Sequence, residues 1–85
     1  MPLSRSLLVA KQPNIGQLVR ALRQEFNLSQ EKFAAKLGVT FPTINRWENK
    51  NVIPSPLAMQ QIDNLLNELG ERGDIIRTTF FPEEG

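Results

Sequence analysis

Eighty-five residues, 40% of them hydrophobic and 22% charged, suit one small domain that buries only about 60–65% of its unfolded surface and needs a core dense in Leu, Ile, Val and Phe. The absence of cysteine, histidine and tyrosine excludes disulfides and thiol chemistry, removes the commonest metal ligand and the commonest neutral-pH acid–base group, and argues against structural zinc. The net charge of +1 conceals an asymmetry: residues 1–50 carry eight Lys/Arg against three acids, and residues 51–85 carry two against six. That split suits a polyanion-binding face joined to a non-binding end, and equally a chance scatter of solvated charge.

In chain order, residues 1–13 read as an N-terminal arm or strand. Their apolar run, SLLVA at 6–10, is too short for a secretory core with a cleavage site, and nothing approaches membrane-spanning length. A cytoplasmic protein is the expectation. Residues 15–26 place Ile15, Leu18, Val19, Leu22 and Phe26 on one helical stripe with Arg20, Arg23 and Gln24 opposite, and Asn14 reads as the N-cap. Ser29 reads as the cap of a second helix, about 29–37, with Glu31 in the first turn and Phe33, Ala34 and Leu37 facing inward. Gly38 stands where a left-handed C-cap residue belongs.

Thr40 offers a third cap. Pro42 fits only the first turn of the helix that follows, about 41–49, and it disfavours α geometry at Phe41, so a start at Pro42 is the alternative. Two short helices joined by a Gly-containing turn make a helix-turn-helix. The Pro-Ser-Pro at 54–56 opens a fourth helix that carries Met59, Ile62, Leu66 and Leu69 on one face and ends at Gly70. Residues 75–81, IIRTTFF, are β-branched and aromatic and favour a strand, with SLLVA as its candidate partner; short helices or frayed tails are the alternatives. The expected fold is all-α, a compact four- to five-helix bundle whose helix-turn-helix domain spans 14–70. A small β-ribbon from residues 1–13 and 71–85 is one option for the ends.

On a wheel of 100° per residue, Ile44 and Trp47 lie about 60° apart and define the inward side of the third helix. Pro42, Asn45, Arg46 and Asn49 fall opposite, with Phe41 and Thr43 on the leading flanks. This outward inventory suits base edges: Arg grips guanine O6 and N7, Asn grips adenine N6 and N7, and Thr methyl or Phe touches a thymine methyl. An α-helix fits the major groove, leading end deepest. Each residue also has a plainer role open to it. Phe41 could fold back over Val39, Pro42 could only stiffen the helix start, and Arg46 could be an ordinary solvated charge. Trp47 reads as core.

The stretch LSQEKFAAKLGVTFPTINRWENKNVIPS resembles the Cro and phage-repressor type of helix-turn-helix family. Leu28, Ser29, Gln30, Glu31, Ala34, Gly38, Val39, Thr40, Thr43, Ile44, Trp47, Glu48, Asn49, Pro54 and Ser55 match its pattern, and with the flanking helices the resemblance covers roughly residues 14–69. It implies that Phe41, Pro42, Thr43 and Arg46 read bases, with Asn45 beside them. It also implies that Gln30 holds a phosphate and buttresses the third helix, that Thr40, Asn49 and the backbone near Lys50 hold phosphates, and that Arg23 and Glu48 form an ion pair fixing the first helix to the third. Two departures stand out. Lys50 replaces the usual glycine, which leaves a left-handed turn to Asn49, Lys50 or Asn51, and GERGDIIRTTFFPEEG replaces the fifth helix often used for dimer contact.

The resulting expectation is a sequence-specific, double-stranded DNA-binding transcriptional regulator of bacterial or phage type. It would read the major groove with residues 41–46 and act as a homodimer through residues 71–85. The alternative is a protein-interaction module, such as the antitoxin of a toxin–antitoxin pair, whose tail at 71–85 grips a protein partner. No membrane association, cofactor, metal or catalytic residue is expected. Without a phosphate-cradling loop or a nucleophile–base pair, and with Glu83 and Glu84 at the tail tip, an enzyme is disfavoured.

Overall fold

Short hydroxyl side chains start three of the helices. A computed structural model describes residues 14–81, which form α1 (Ile15–Glu25), α2 (Gln30–Leu37), α3 (Phe41–Lys50), α4 (Pro56–Glu68) and α5 (Glu71–Phe80). The fold is all-α, with no strand among the described residues. Ser29, Thr40 and Ser55 each lie in extended geometry and accept a hydrogen bond from the amide of the residue three positions on, Lys32, Thr43 and Ala58 respectively. Each bond satisfies a donor that a helix start leaves free. Asn14 precedes α1 without such a side-chain bond.

Gly38, at φ 74°, closes α2 by donating its amide to Ala34 and Ala35. The left-handed φ of 58° at Asn27 turns α1 toward α2; Asn is among the few side-chain-bearing residues that visit this region readily.

The apolar stripes meet in one core. Phe33, Ile15, Leu22, Ile44, Ile62 and Val19 are its fully buried large side chains. Helix α1 is the hub, packing against α3, α4 and α5, while α2 packs on α3 and α4 on α5. Since none of these helices exceeds thirteen residues, each depends on such packing rather than on intrinsic propensity.

The C-terminal segment departs from the strand expected over 75–81. Residues 71–80 are helical, and Gly73, Ile76 and Phe80, spaced three and four apart, face inward, the first two fully and Phe80 in part. Glu71 and Asp74 lie in the first turn and Arg77 in the last, the order that complements a helix dipole. The Thr78 and Thr79 hydroxyls donate back to carbonyls one turn earlier, with Thr79 Oγ1 2.6 Å from the Ile75 oxygen. β-branched character reflects fit to a half-buried surface more than backbone preference, and here packing on α1 and α4 supplies that surface to a helix. The other half of the expected ribbon, SLLVA, lies outside the described residues.

Candidate nucleic-acid interface

Helices α2 and α3 are joined by Gly38, Val39 and Thr40, and the turn aims the leading end of α3 outward. Helix α3 begins at Phe41 with Thr40 as its cap; the alternative start at Pro42 is not adopted. The cap bond and the Thr40 Oγ1 to Thr43 Oγ1 contact of 2.9 Å hold Phe41 in helical geometry despite the following proline. Ile44 and Trp47 are buried. On the opposite side Phe41, Pro42, Arg46, Asn49 and Lys50 are exposed, with Thr43 and Asn45 half-buried. Phe41 does not fold back: 43% of it faces solvent.

Beneath this face lies a buried carboxylate. The Glu48 side chain has no exposure and receives donors from two other helices. Arg23 of α1 donates through Nε to Oε2 at 2.7 Å and through Nη2 to Oε1 at 3.0 Å, in a two-pronged pair. The third Arg23 nitrogen donates to the Leu28 carbonyl at 3.0 Å, so one guanidinium ties α1, the α1–α2 turn and α3 together. Gln30 Nε2 donates to Glu48 Oε1 at 3.0 Å, and Arg20 Nε reaches the same oxygen at 3.3 Å. Burial pushes the Glu48 carboxyl up, but hydrogen bonds from Arg23 and Gln30, the Arg23 charge and the bond from Arg20 together hold it below the ordinary range.

Gln30, expected to hold a phosphate and buttress the third helix, bonds α3 twice, donating to Glu48 and accepting a long bond of 3.4 Å from Asn45 Nδ2. Thr40 and Thr43, assigned to phosphate and base, share a hydroxyl contact. The left-handed residue that replaces the missing glycine is Asn51, at φ 54°, not Asn49 or Lys50.

Two residues make contacts that their local sequence did not announce. Asn51 Oδ1 accepts the Gly16 amide at 2.9 Å, so the residue whose backbone closes α3 also caps α1 with its side chain. Arg20 donates to both Glu48 and Asn49. Its three-residue spacing from Arg23 on the polar side of α1 was the available signal, because that spacing puts both cations on one face.

No helix among the described residues is long and apolar enough to cross a membrane. Two facing helices joined by a tight glycine turn, the second presenting cationic and amide groups outward, define a helix-turn-helix DNA-binding domain. Consistent with this, a family model described as helix-turn-helix matches residues 19–71. The chain belongs to this family, of the Cro and phage-repressor type, a family of DNA-binding regulatory domains rather than of enzymes. Neither a curated protein nor a solved structure matches the chain.

Proposed function

We propose that this protein is a sequence-specific transcriptional regulator that reads the major groove of double-stranded DNA with residues 41–46 and binds as a homodimer. The observation that carries this reading is the two-sidedness of α3, with Ile44 and Trp47 in the core and Phe41, Pro42 and Arg46 exposed on the other side. Arg46 and Asn45 supply the donors and acceptors that distinguish base pairs. Phe41 and Pro42 supply apolar contact for thymine methyls, and Thr43 adds a methyl beside its capped hydroxyl. Thr40, Gln30, Asn49 and Lys50 then hold phosphates, which fixes register without reading sequence.

A single module of this size makes few base contacts, and specific affinities usually need a larger interface. The dimer surface is on α5, where Ile75 is 63% exposed beside the buried Ile76. Two-fold pairing would place half-sites about one helical turn apart.

The test is a binding selection from random duplex oligonucleotides, expected to enrich a two-fold symmetric site. Arg46→Ala should then cost about 1–3 kcal/mol on the enriched site and relax discrimination at one base pair. Lys50→Ala should weaken all duplexes alike and lower the salt slope by about 1. Absence of any enriched sequence, or unchanged binding by both variants in a salt titration, would overturn the reading.

A further inference from the structure

We infer that residues 6–10 of this same chain, SLLVA, cover the groove between α1, α4 and the end of α5 and complete the hydrophobic core there. None of the residues concerned takes part in the proposed DNA contact, so the inference is independent of that function.

The groove is apolar and open. Ile15 and Leu18 of α1, Met59, Ile62 and Leu66 of α4, and Phe81 line about 310 Å³ of empty space that reaches solvent. Met59 and Phe81 are only half-buried, so apolar side chains laid over them remove surface from water. A volume at the small end of ligand-sized pockets, about 300 Å³, admits a few side chains rather than a folded partner.

The chain delivers such side chains to this place. The Asn14 amide donates to the Phe80 carbonyl at 3.3 Å, which fixes the entry to α1 beside the end of α5. Ile15, the next residue, is itself a wall of the groove. Only Lys11, Gln12 and Pro13 separate Asn14 from SLLVA, and the four steps from Asn14 to Ala10 span at most about 14 Å. So short a tether holds Leu7, Leu8 and Val9 at an effective concentration on the order of mM beside the groove, which a second copy in solution does not reach.

Charge favours the same occupant. At the groove, Arg77 bonds both Asp63 and Asp74, so two carboxylates share one guanidinium and the rim is left negative; the Asp63 side chain is 58% exposed. Residues 1–13 carry Arg5 and Lys11 and no acid. These two cations flank the apolar run on either side and suit that rim.

The chain has no cysteine, so an introduced thiol reports on its own position. Met59→Cys places a thiol in the groove, and its rate of reaction with a maleimide measures how well the groove is covered. The rate is expected to be at least about tenfold slower than in the same variant carrying Leu7→Ser and Leu8→Ser, a factor that corresponds to about 1.4 kcal/mol of docking, and to be independent of protein concentration. Equal rates in the two backgrounds overturn the inference. Protection that grows with protein concentration also overturns it, and assigns the groove to a second copy. A second measurement does not depend on the serine variants keeping their fold. Under mild oxidation, Leu8→Cys with Met59→Cys is expected to form a disulfide within one chain, whereas Leu8→Cys with Gln17→Cys, an exposed position on the first turn of α1, is not. Equal crosslinking at both positions, or crosslinking between chains, overturns the assignment.

Discussion

Glu48 is the residue on which the site's rigidity depends. It is a carboxylate without exposure, on the helix that meets DNA in the proposed function, and its partners come from α1 and α2. A buried pair adds little stability over a well-packed apolar substitute, but removing one partner strands the other charge. Glu48→Gln is therefore expected to destabilise the fold by about 3 kcal/mol, the low end for such a loss, because Arg20 and Arg23 keep some contact with water. Urea unfolding should show a lowered midpoint with an unchanged slope.

The pH dependence has a definite sign. The folded Glu48 carboxyl titrates below its ordinary value, so its stabilisation is present above the unfolded pKa of about 4.3 and is lost as pH falls below it. Glu25, lowered by its hydrogen bond from Arg72, acts in the same direction on an exposed pair. Unfolding free energy measured from neutral pH downward should drop in the acid range for the wild type, and much less for Glu48→Gln. Equal acid slopes would show that Glu48 is not the group responsible.

At the scale of elements, two glycines mark where helices approach too closely for a side chain. A Cβ on Gly16 would lie 2.7 Å from the Trp47 carbonyl oxygen and 2.8 Å from that of Glu48, so the start of α1 lies directly against the end of α3. A Cβ on Gly73 would lie 1.9 Å from the Leu66 carbonyl oxygen, which puts α5 in backbone contact with α4. Helix propensity alone makes Gly→Ala favourable by about 1 kcal/mol in a helix interior. Steric overlap with a fixed carbonyl reverses that sign, because neither backbone can yield as a flexible side chain would. Gly73→Ala is expected to lower stability by about 2 kcal/mol, in the range of overpacked cores, as a fall in thermal midpoint. A rise in midpoint would mean that α5 is not held against α4 as described.

The whole molecule is organised around α1 rather than around the helix-turn-helix. One side of α1 holds α3 through Arg20 and Arg23, and another holds α4 and α5. Exposed pairs join the periphery, Arg72 to Glu25 between α5 and α1 and Arg77 to Asp63 between α5 and α4. Such pairs contribute little individually, so the hold on α5 comes from burying Gly73 and Ile76. Ile15, Leu18, Met59, Ile62 and Phe81 line a groove where α1, α4 and the end of α5 meet. Removing residues 71–85 is accordingly expected to strip cover from the core instead of detaching an inert tail. At about 1.5–3 kcal/mol for each large apolar side chain uncovered, the loss is comparable to the stability of a small domain. Circular dichroism on heating should find the cooperative transition abolished or shifted far down; a truncated chain melting like its parent would contradict this packing.

Several features of this protein follow from the chain itself. The stripes Ile15–Leu18–Val19–Leu22 and Ile44–Trp47, the caps Ser29, Thr40 and Ser55, and the glycine after Leu37 are local patterns with local physical causes. The first four helices and the outward face of α3 were legible from them. Three other features rested on contacts between residues far apart in sequence. IIRTTFF is strand-like in composition, and only the surface offered by α1 and α4 makes it a helix. Local propensity disfavours Lys50 for the left-handed turn but does not choose between Asn49 and Asn51; Asn51 takes it, where its side chain also meets the Gly16 amide. Arg20 and Arg23 are alike on the helical wheel, and they separate into an exposed single contact and a nearly buried two-pronged pair only because Glu48, twenty-five residues beyond Arg23, turns its two oxygens toward Arg23. Local periodicity sets which face of a helix is apolar, whereas the partner that face or charge meets is decided when the helices pack.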